Sequence, residues 1–176
     1  MPMKKALRAV LILLTVIICL LAASCGKVPP SPQSIVTAIC SAEAPLPVGR
    51  LYYSDAPEGS EEYLPFELLS DAYGVPFDYD GIEKAAVRLS ANGHPAETAV
   101  FLCKNGNAAE DVALFCRSRI STLSRNALFS SKACGMALEE YESYLASASV
   151  TVSGRYVCLI ISSDPAEARR AFLGAL

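Results

Sequence analysis

The apolar run from Tyr156 to Ile161 constrains the fold of this chain more than any other segment. It contains no charged residue, a pattern typical of a central strand that is covered on both faces of its sheet. The residues before it, 147–153, alternate apolar with small polar side chains, and Gly154-Arg155 fits a tight turn between the two segments. The pattern therefore predicts a β-hairpin whose second strand is buried.

Another hairpin is predicted in the middle of the chain. Its strands are residues 85–90 and 97–104, and Ala91-Asn92-Gly93-His94-Pro95-Ala96 supplies the turn. A capping motif begins at Gly106, and apolar residues then recur at helical spacing as far as Ala127. We expect a long amphipathic helix directly after this hairpin.

Four shorter helices complete the predicted fold. One begins after Ser31-Pro32, one after Leu64-Pro65, one spans 136–145, and the last follows Asp164-Pro165. Residues 44–59 are rich in proline, glycine and polar side chains, which indicates a loop. These patterns predict the α+β class, in which a small antiparallel sheet of two hairpins packs against helices. The predicted order is ββα(α)ββα, preceded by N-terminal helices.

The N-terminus has the features of a secretory signal. Basic residues at positions 4, 5 and 8 precede an apolar run from Ala9 to Ala23. Such a basic start stays at the anionic cytoplasmic face of the membrane while the apolar run enters the bilayer. The alternative is an uncleaved helix, because residues 9–26 are just long enough to span a bilayer. Either interpretation places the rest of the chain outside the cytoplasm.

The end of the signal predicts lipid attachment. Leu21-Ala22-Ala23-Ser24 leads directly to Cys25, and this tail resembles a bacterial lipoprotein signal, whose cysteine is diacylglycerol-modified on sulfur. The resemblance implies that residues 1–25 form the signal peptide, that cleavage falls between Ser24 and Cys25, and that Cys25 is lipidated. A two-chain lipid anchors a domain firmly, whereas a single chain is marginal. We expect the protein to be lipid-anchored at the extracytoplasmic face of the cell membrane.

The chain after the signal is large enough for one domain. It has about 150 residues, too few for two domains with a well-packed core each. We therefore expect a single domain at 33–176, preceded by a proline-rich linker at 26–32. Of the 15 Lys and Arg, three lie in the signal, which leaves 12 against 18 Asp and Glu, a formal charge of −6. The basic residues lack the clustering that a phosphate backbone requires. The expected partners are the membrane and an unknown envelope protein or ligand, and not nucleic acid.

The second half of the chain resembles a known family. The residues that carry the resemblance are Glu97-Thr98-Ala99-Val100-Phe101 on a strand, Arg119 on the long helix, and Gly154-Arg155-Tyr156-Val157 before an apolar strand that ends with Ser162-Ser163-Asp164. They are similar to the extracytoplasmic lipoproteins of Gram-positive bacteria that contain domain of unknown function 4358. The resemblance is clearest over 97–164 and implies an envelope location and an α+β fold. It implies no activity, because the family has no assigned catalytic residues.

The sequence indicates no metal, no cofactor and no catalytic residue. His94 is the only histidine, and its place in a predicted turn favours a solvated loop residue. Zinc ligands usually come in closely spaced Cys or His pairs, and the sequence contains no such pair. Asp78-Tyr79-Asp80-Gly81 with Glu83 contains only part of a calcium loop, and an ordinary acidic turn is the simpler interpretation.

Five cysteines lie beyond the predicted lipidation site. They are Cys40, Cys103, Cys116, Cys134 and Cys158. Their odd number and irregular spacing argue against a disulfide framework, so most are expected to be thiols in the core. An alternative is a disulfide between Cys103 and Cys158, which requires the two hairpins to bring their Cα atoms within bonding range.

Aromatic residues in the first half of the chain offer a possible binding face. Its members are Tyr52, Tyr53, Tyr63, Tyr73 and Tyr79. Tyrosines interspersed with prolines and acids can line a ligand or partner surface, because they are rigid and amphipathic. The simpler alternative is that they form the half-buried side of a core.

Two function classes follow from these observations. The first is a non-enzymatic protein of the cell envelope, with a binding or structural role. The alternative is an envelope hydrolase with paired carboxylates, in which Glu61 or Glu62 faces Asp78 or Asp80 across a cleft. A redox protein would require an exposed, reactive pair of thiols.

Overall fold

The computed structural model describes residues 29–43, 45–73 and 79–176. Six α-helices occur in these ranges: α1 (Pro32–Ala42), α2 (Phe66–Tyr73), α3 (Gly106–Arg125), α4 (Ala127–Cys134), α5 (Leu138–Ala146) and α6 (Pro165–Gly174). Five strands occur with them: β1 (Gly49–Tyr53), β2 (Ile82–Ser90), β3 (Glu97–Cys103), β4 (Ser149–Ser153) and β5 (Tyr156–Ile161). The predicted signal peptide and the predicted lipidation at Cys25 lie outside the described residues.

The five strands form one antiparallel sheet in the order β1-β2-β3-β5-β4. Both predicted hairpins are present, as β2–β3 and β4–β5, and β3 pairs with β5 to join them. Every residue of β5 is buried, because the strand lies inside the sheet with a neighbour on each side. The predicted α+β fold with an antiparallel sheet is therefore confirmed.

The sequence prediction missed strand β1. It assigned a loop to residues 44–59, but Gly49–Tyr53 pairs with β2 along its whole length, from Gly49 opposite Ser90 to Tyr53 opposite Ala86. All of its residues are exposed or half-buried. An edge strand with little buried surface lacks the apolar alternation by which a strand is recognised.

The predicted long helix is divided in two. Helix α3 ends at Arg125, Asn126 stands between the two helices with non-helical backbone angles, and α4 continues from Ala127. Asparagine favours such positions because its side chain competes with the helix for backbone hydrogen bonds. The short α4 then leads to α5, which falls where a weaker helix was predicted.

Helices cover both faces of the sheet. Helices α2 to α5 pack on one face, which we call the four-helix side, and α1 and α6 pack on the other, the two-helix side. Successive residues of a strand point to opposite faces, so Phe101 belongs to the core of the four-helix side while Val100 belongs to that of the two-helix side. The domain therefore has two apolar cores separated by its sheet.

The structure contradicts a disulfide between Cys103 and Cys158. Cys103 lies in the core of the four-helix side and Cys158 in that of the two-helix side. The register places Val100 opposite Cys158, and all five cysteines in the described residues are free. Cys103, Cys116 and Cys158 are fully buried, as expected for core thiols.

The start of the domain is fixed to the sheet. Ser31 caps α1 by accepting a hydrogen bond from the Ser34 amide at 3.1 Å, and Pro32 occupies the first turn. The Tyr156 hydroxyl of β5 donates to the Pro30 carbonyl at 2.8 Å. Of the helices that the structure describes, none combines the length and the apolar character needed to cross a membrane.

Candidate functional site

A cavity of about 190 Å³ opens beside the turn of the β2–β3 hairpin. It lies between that turn and helices α3, α4 and α5, and we call it the hairpin cavity. Its polar lining consists of Ser90, His94, Glu97, Arg119, Ser130 and Tyr141. These residues come from β2, the turn, β3, α3, α4 and α5, which together surround the space.

A buried ion pair forms one wall of the hairpin cavity. Glu97, the first residue of β3, is only 3% exposed, and Arg119 of α3 donates to its Oε2 from Nε at 3.0 Å and from Nη2 at 2.9 Å. The Nη1 group of Arg119 donates to the Ala72 carbonyl. Burial lowers the pKa of Arg119, but the charge and hydrogen bonds of Glu97, together with Tyr73 and Tyr141, raise it, and the net shift is upward. The guanidinium therefore stays charged.

Tyr73 supports this ion pair from α2. Its side chain is fully buried, and its hydroxyl donates to Glu97 Oε1 at 2.9 Å. The Arg119 guanidinium carbon lies 5.7 Å from the centroid of the Tyr73 ring, within the range of a cation–π contact. Burial and then the charge of Glu97 raise the pKa of Tyr73, so its hydroxyl keeps its proton. Both oxygens of the buried carboxylate are thus satisfied, as a stable buried charge requires.

Tyr141 of α5 is the unusual residue of the site. Its side chain is fully buried, yet its hydroxyl forms no hydrogen bond of normal geometry with any described residue. Burial raises the pKa of Tyr141, and the nearby Ser130 hydroxyl lowers it by less, so the group is a neutral hydroxyl. A buried polar group without a partner costs about 1–3 kcal/mol, and native proteins contain few. Because Tyr141 lines the hairpin cavity, a molecule bound there would supply the missing partner.

His94 lies in the loop between β2 and β3, as predicted, but it is half-buried beside the cavity and so only partly solvated. Its ring packs edge-to-face against Tyr144, with ring centroids 5.1 Å apart. Its Nδ1 accepts a hydrogen bond from the Ala96 amide at 3.1 Å, which assigns the proton of the neutral ring to Nε2. Burial lowers the pKa of His94, Glu140 raises it and Arg88 lowers it, with a net downward shift. The imidazole is therefore a neutral donor at neutral pH.

The arrangement is suited to binding more than to proton transfer. Glu97 already accepts hydrogen bonds from Tyr73 and from two nitrogens of Arg119, which leaves it poorly placed to take a proton from a substrate. A general base needs a free lone pair within reach of the reacting proton. The cavity does offer fixed donors from rigid elements, which is what orients a bound polar group.

The predicted tyrosine face is not assembled as one surface. Tyr73 reaches the site, beneath the Glu97–Arg119 pair. Tyr52 packs against the core of the four-helix side and Tyr53 against that of the two-helix side, so these neighbours point to opposite faces of the sheet. Tyr63 joins Tyr53 through a backbone bridge and does not line the hairpin cavity. The side chain of Tyr79 lies outside the described part of the structure.

The paired carboxylates of the hydrolase alternative gain no support from the structure. The Glu61 side chain is 79% exposed and lies 3.2 Å from Arg50 in a surface ion pair. Glu62 and Asp80 are exposed as well, and Asp78 lies outside the described residues. Neither Glu61 nor Glu62 lines the hairpin cavity. Within 29–43, 45–73 and 79–176, no group of three or more His, Cys, Asp or Glu side chains could hold a metal ion.

Sequence reasoning assigned no role to the residues that form the site. In the sequence, Glu97 and Arg119 carry only the family resemblance, and no pattern distinguishes Tyr141. One signal was present in the sequence, because Glu97 is an acid at the start of an otherwise apolar strand and is therefore expected to need a buried partner. The partner itself is 22 residues away on α3, and local patterns do not identify it.

Comparisons with protein-family models, with curated proteins and with solved structures found no match for this chain. The hairpin cavity and the N-terminal sequence are therefore the features that indicate a function.

Proposed function

We propose that this protein is a lipid-anchored binding protein of the cell envelope and that the hairpin cavity holds its ligand. The observation that carries the proposal is the Tyr141 hydroxyl, which is fully buried, lines the cavity and makes no hydrogen bond of normal geometry with the described residues, although Ser130 is near enough to lower its pKa. A ligand that bonds to this hydroxyl would supply a partner for a buried polar group, which is costly to leave unpaired.

The rigidity of the site supports a binding role. Glu97 and Arg119 fix each other, and Tyr73 fixes Glu97, so the wall of the cavity is already in place before a ligand arrives. A preorganised site loses little conformational entropy when it binds, which favours affinity for a small molecule. A binding role fits the cavity better than a catalytic one, because Glu97, the acidic side chain in its lining, already accepts hydrogen bonds from Tyr73 and Arg119.

The N-terminal sequence supports the anchor. The basic start, the apolar run and Cys25 together resemble a lipoprotein signal, and the resemblance of the second half of the chain to proteins with domain of unknown function 4358 agrees with this location. Pro30, which is hydrogen-bonded to Tyr156, is five residue steps from Cys25, a distance of at most about 18 Å. The anchor would therefore keep the domain close to the membrane surface.

The anchor is tested by metabolic labelling with a clickable palmitate analogue. The wild-type chain should take up the label and fractionate with membranes, and Cys25→Ser should do neither. A cytosolic wild-type chain with intact Met1 and an unmodified Cys25 would overturn this part of the proposal.

The binding role is tested by thermal unfolding of the full chain in detergent with a set of small polar compounds. A true ligand at a hundredfold excess over its Kd stabilises a protein by about 2.7 kcal/mol. The stabilisation should be seen in the wild type and weakened in Tyr141→Phe. Tyr53→Phe, on the far side of the sheet, is the matched control and should behave as the wild type does.

A further inference from the structure

The hairpin cavity has hydrogen-bond donors that its described contacts leave unused. A guanidinium carries five N–H groups, and the described hydrogen bonds of Arg119 use three of them. The Tyr141 hydroxyl has no partner among the described residues, and His94 presents its Nε2–H because Nδ1 already accepts from Ala96. Glu97, the strongest acceptor present, receives three hydrogen bonds. The matching ligand group is therefore an acceptor.

The charges of the cavity favour a neutral acceptor over an anion. The Glu97 carboxylate lies 2.9 Å from Arg119 and offsets its positive charge. His94 is uncharged at neutral pH, and the ionised groups that act on it, Glu140 and Arg88, are of opposite sign. A carboxylate or phosphate buried here would lack a positive partner of its own, which is costly. A carbonyl oxygen has the required acceptor lone pairs without a net charge.

The size of the cavity limits the ligand to a small group. About 190 Å³ is below the 300–1,000 Å³ or so of pockets for larger ligands. Leu89, Pro95 and Leu123 provide apolar walls beside the polar ones. A carbonyl with an attached methyl group would contact both kinds of wall.

We propose that the hairpin cavity binds a small secondary amide, namely the acetamido group of an N-acetylated sugar or amino acid. The amide oxygen accepts from the Tyr141 hydroxyl and from a spare N–H of Arg119. The amide N–H donates to the Ser130 hydroxyl oxygen, and the methyl group lies against the apolar wall. This inference rests on the proposed function, since it specifies the ligand of the same cavity.

Saturation-transfer NMR on the full chain in detergent tests the inference. The probes are N-acetylglucosamine and N-acetylalanine amide, with glucose, glucosamine, acetate and inorganic phosphate as controls. The acetyl methyl protons should receive saturation from the wild-type protein, and neither glucose nor glucosamine should. Loss of one hydrogen bond in Tyr141→Phe should weaken binding about tenfold, whereas Tyr53→Phe should leave it unchanged.

The outcomes separate the failure of this inference from the failure of the proposed function. Binding of either acetylated probe supports the inference, and the probe that binds identifies the source as sugar or amino acid. If acetate or phosphate binds more tightly than both amides, the inference of amide binding is wrong, but the proposal that the cavity is a ligand site is kept. If no probe binds, and no compound stabilises the wild type more than Tyr141→Phe in thermal unfolding, both proposals are wrong.

Discussion

Tyr73 and Tyr141 are both fully buried on the four-helix side of the sheet, but their hydroxyls differ in one respect. The Tyr73 hydroxyl donates to Glu97 at 2.9 Å, whereas the Tyr141 hydroxyl has no hydrogen-bond partner among the described residues. The same side chain thus has two roles in one core. Tyr73 stabilises the fold, and Tyr141 is available to a ligand.

Removal of the Tyr73 hydroxyl should lower the free energy of unfolding, whereas removal of the Tyr141 hydroxyl should not. Tyr73→Phe takes a donor from a buried carboxylate and should lower the free energy of unfolding by about 1.5–3 kcal/mol. Tyr141→Phe removes an unpaired polar group and should leave it unchanged or raise it by up to about 1 kcal/mol. Urea unfolding of both variants measures the difference. A loss of more than about 1 kcal/mol in Tyr141→Phe would show that its hydroxyl has a structural partner.

The buried ion pair should contribute far more than a surface pair. Arg119→Met leaves the Glu97 charge buried without its cation and should cost about 3–5 kcal/mol of unfolding free energy. Arg50→Met is the matched control, because it removes the same side chain from the exposed pair with Glu61, and its cost should be about 0–1 kcal/mol. Equal losses in the two variants, measured by urea unfolding, would contradict the role of the Glu97–Arg119 pair.

Stability should decrease in mildly acidic solution because of His94. Burial lowers its pKa from the ordinary 6.5, so below about pH 6.5 the unfolded chain binds a proton that the folded chain does not. The stability that the neutral His94 ring contributes is fully present above about pH 6.5. It is lost as the pH falls through the lower pKa of His94 in the folded state. His94→Asn retains an acceptor for the Ala96 amide but does not titrate, so its stability should decline less over this range. Identical pH profiles for the two proteins, in urea unfolding at several pH values, would refute this.

The five described cysteines should react in two classes. Burial raises the pKa of Cys103 to about 11 and also raises the pKa of Cys116 and of Cys158, so these thiols are both covered and protonated. Burial also raises the pKa of Cys40, but Cys40 and Cys134 are only half-buried and should react first with an aromatic disulfide reagent, because the reagent can reach them. After denaturation without reductant all five should react. Two thiols that appear only after reduction would reveal a disulfide that the structure does not contain.

Much of the fold could be predicted because its hairpins are local. The strands of β2–β3 and of β4–β5 are adjacent in sequence, and their periodicity and turn residues are visible without tertiary information. Strand β1 was not visible, because its pairing partner β2 is more than 25 residues away and neither of its faces is fully buried. The break at Asn126 was also missed, since apolar spacing continues across it.

The site could not be predicted, because it depends on contacts between distant residues. Arg119 lies on a helix that has other basic residues, and nothing local distinguishes it as the partner of Glu97. Tyr141 falls on a short helix of weak pattern, and its lack of a partner is a property of the packed core alone. His94 becomes half-buried because α5 places Tyr144 against it, a contact across about 50 residues that a turn motif cannot indicate.

The NMR signal of His94 offers the most direct test that the hairpin cavity is a ligand site. His94 is the only histidine in the chain and lines the cavity, so the full chain with ¹³C-labelled histidine and no histidine tag gives one imidazole signal. If the cavity binds an acetamido group, N-acetylglucosamine or N-acetylalanine amide shifts this signal saturably in the wild type. In Tyr141→Phe the same shift requires about tenfold more ligand. A signal that no small polar compound shifts, or one that shifts equally in both proteins, would contradict this prediction.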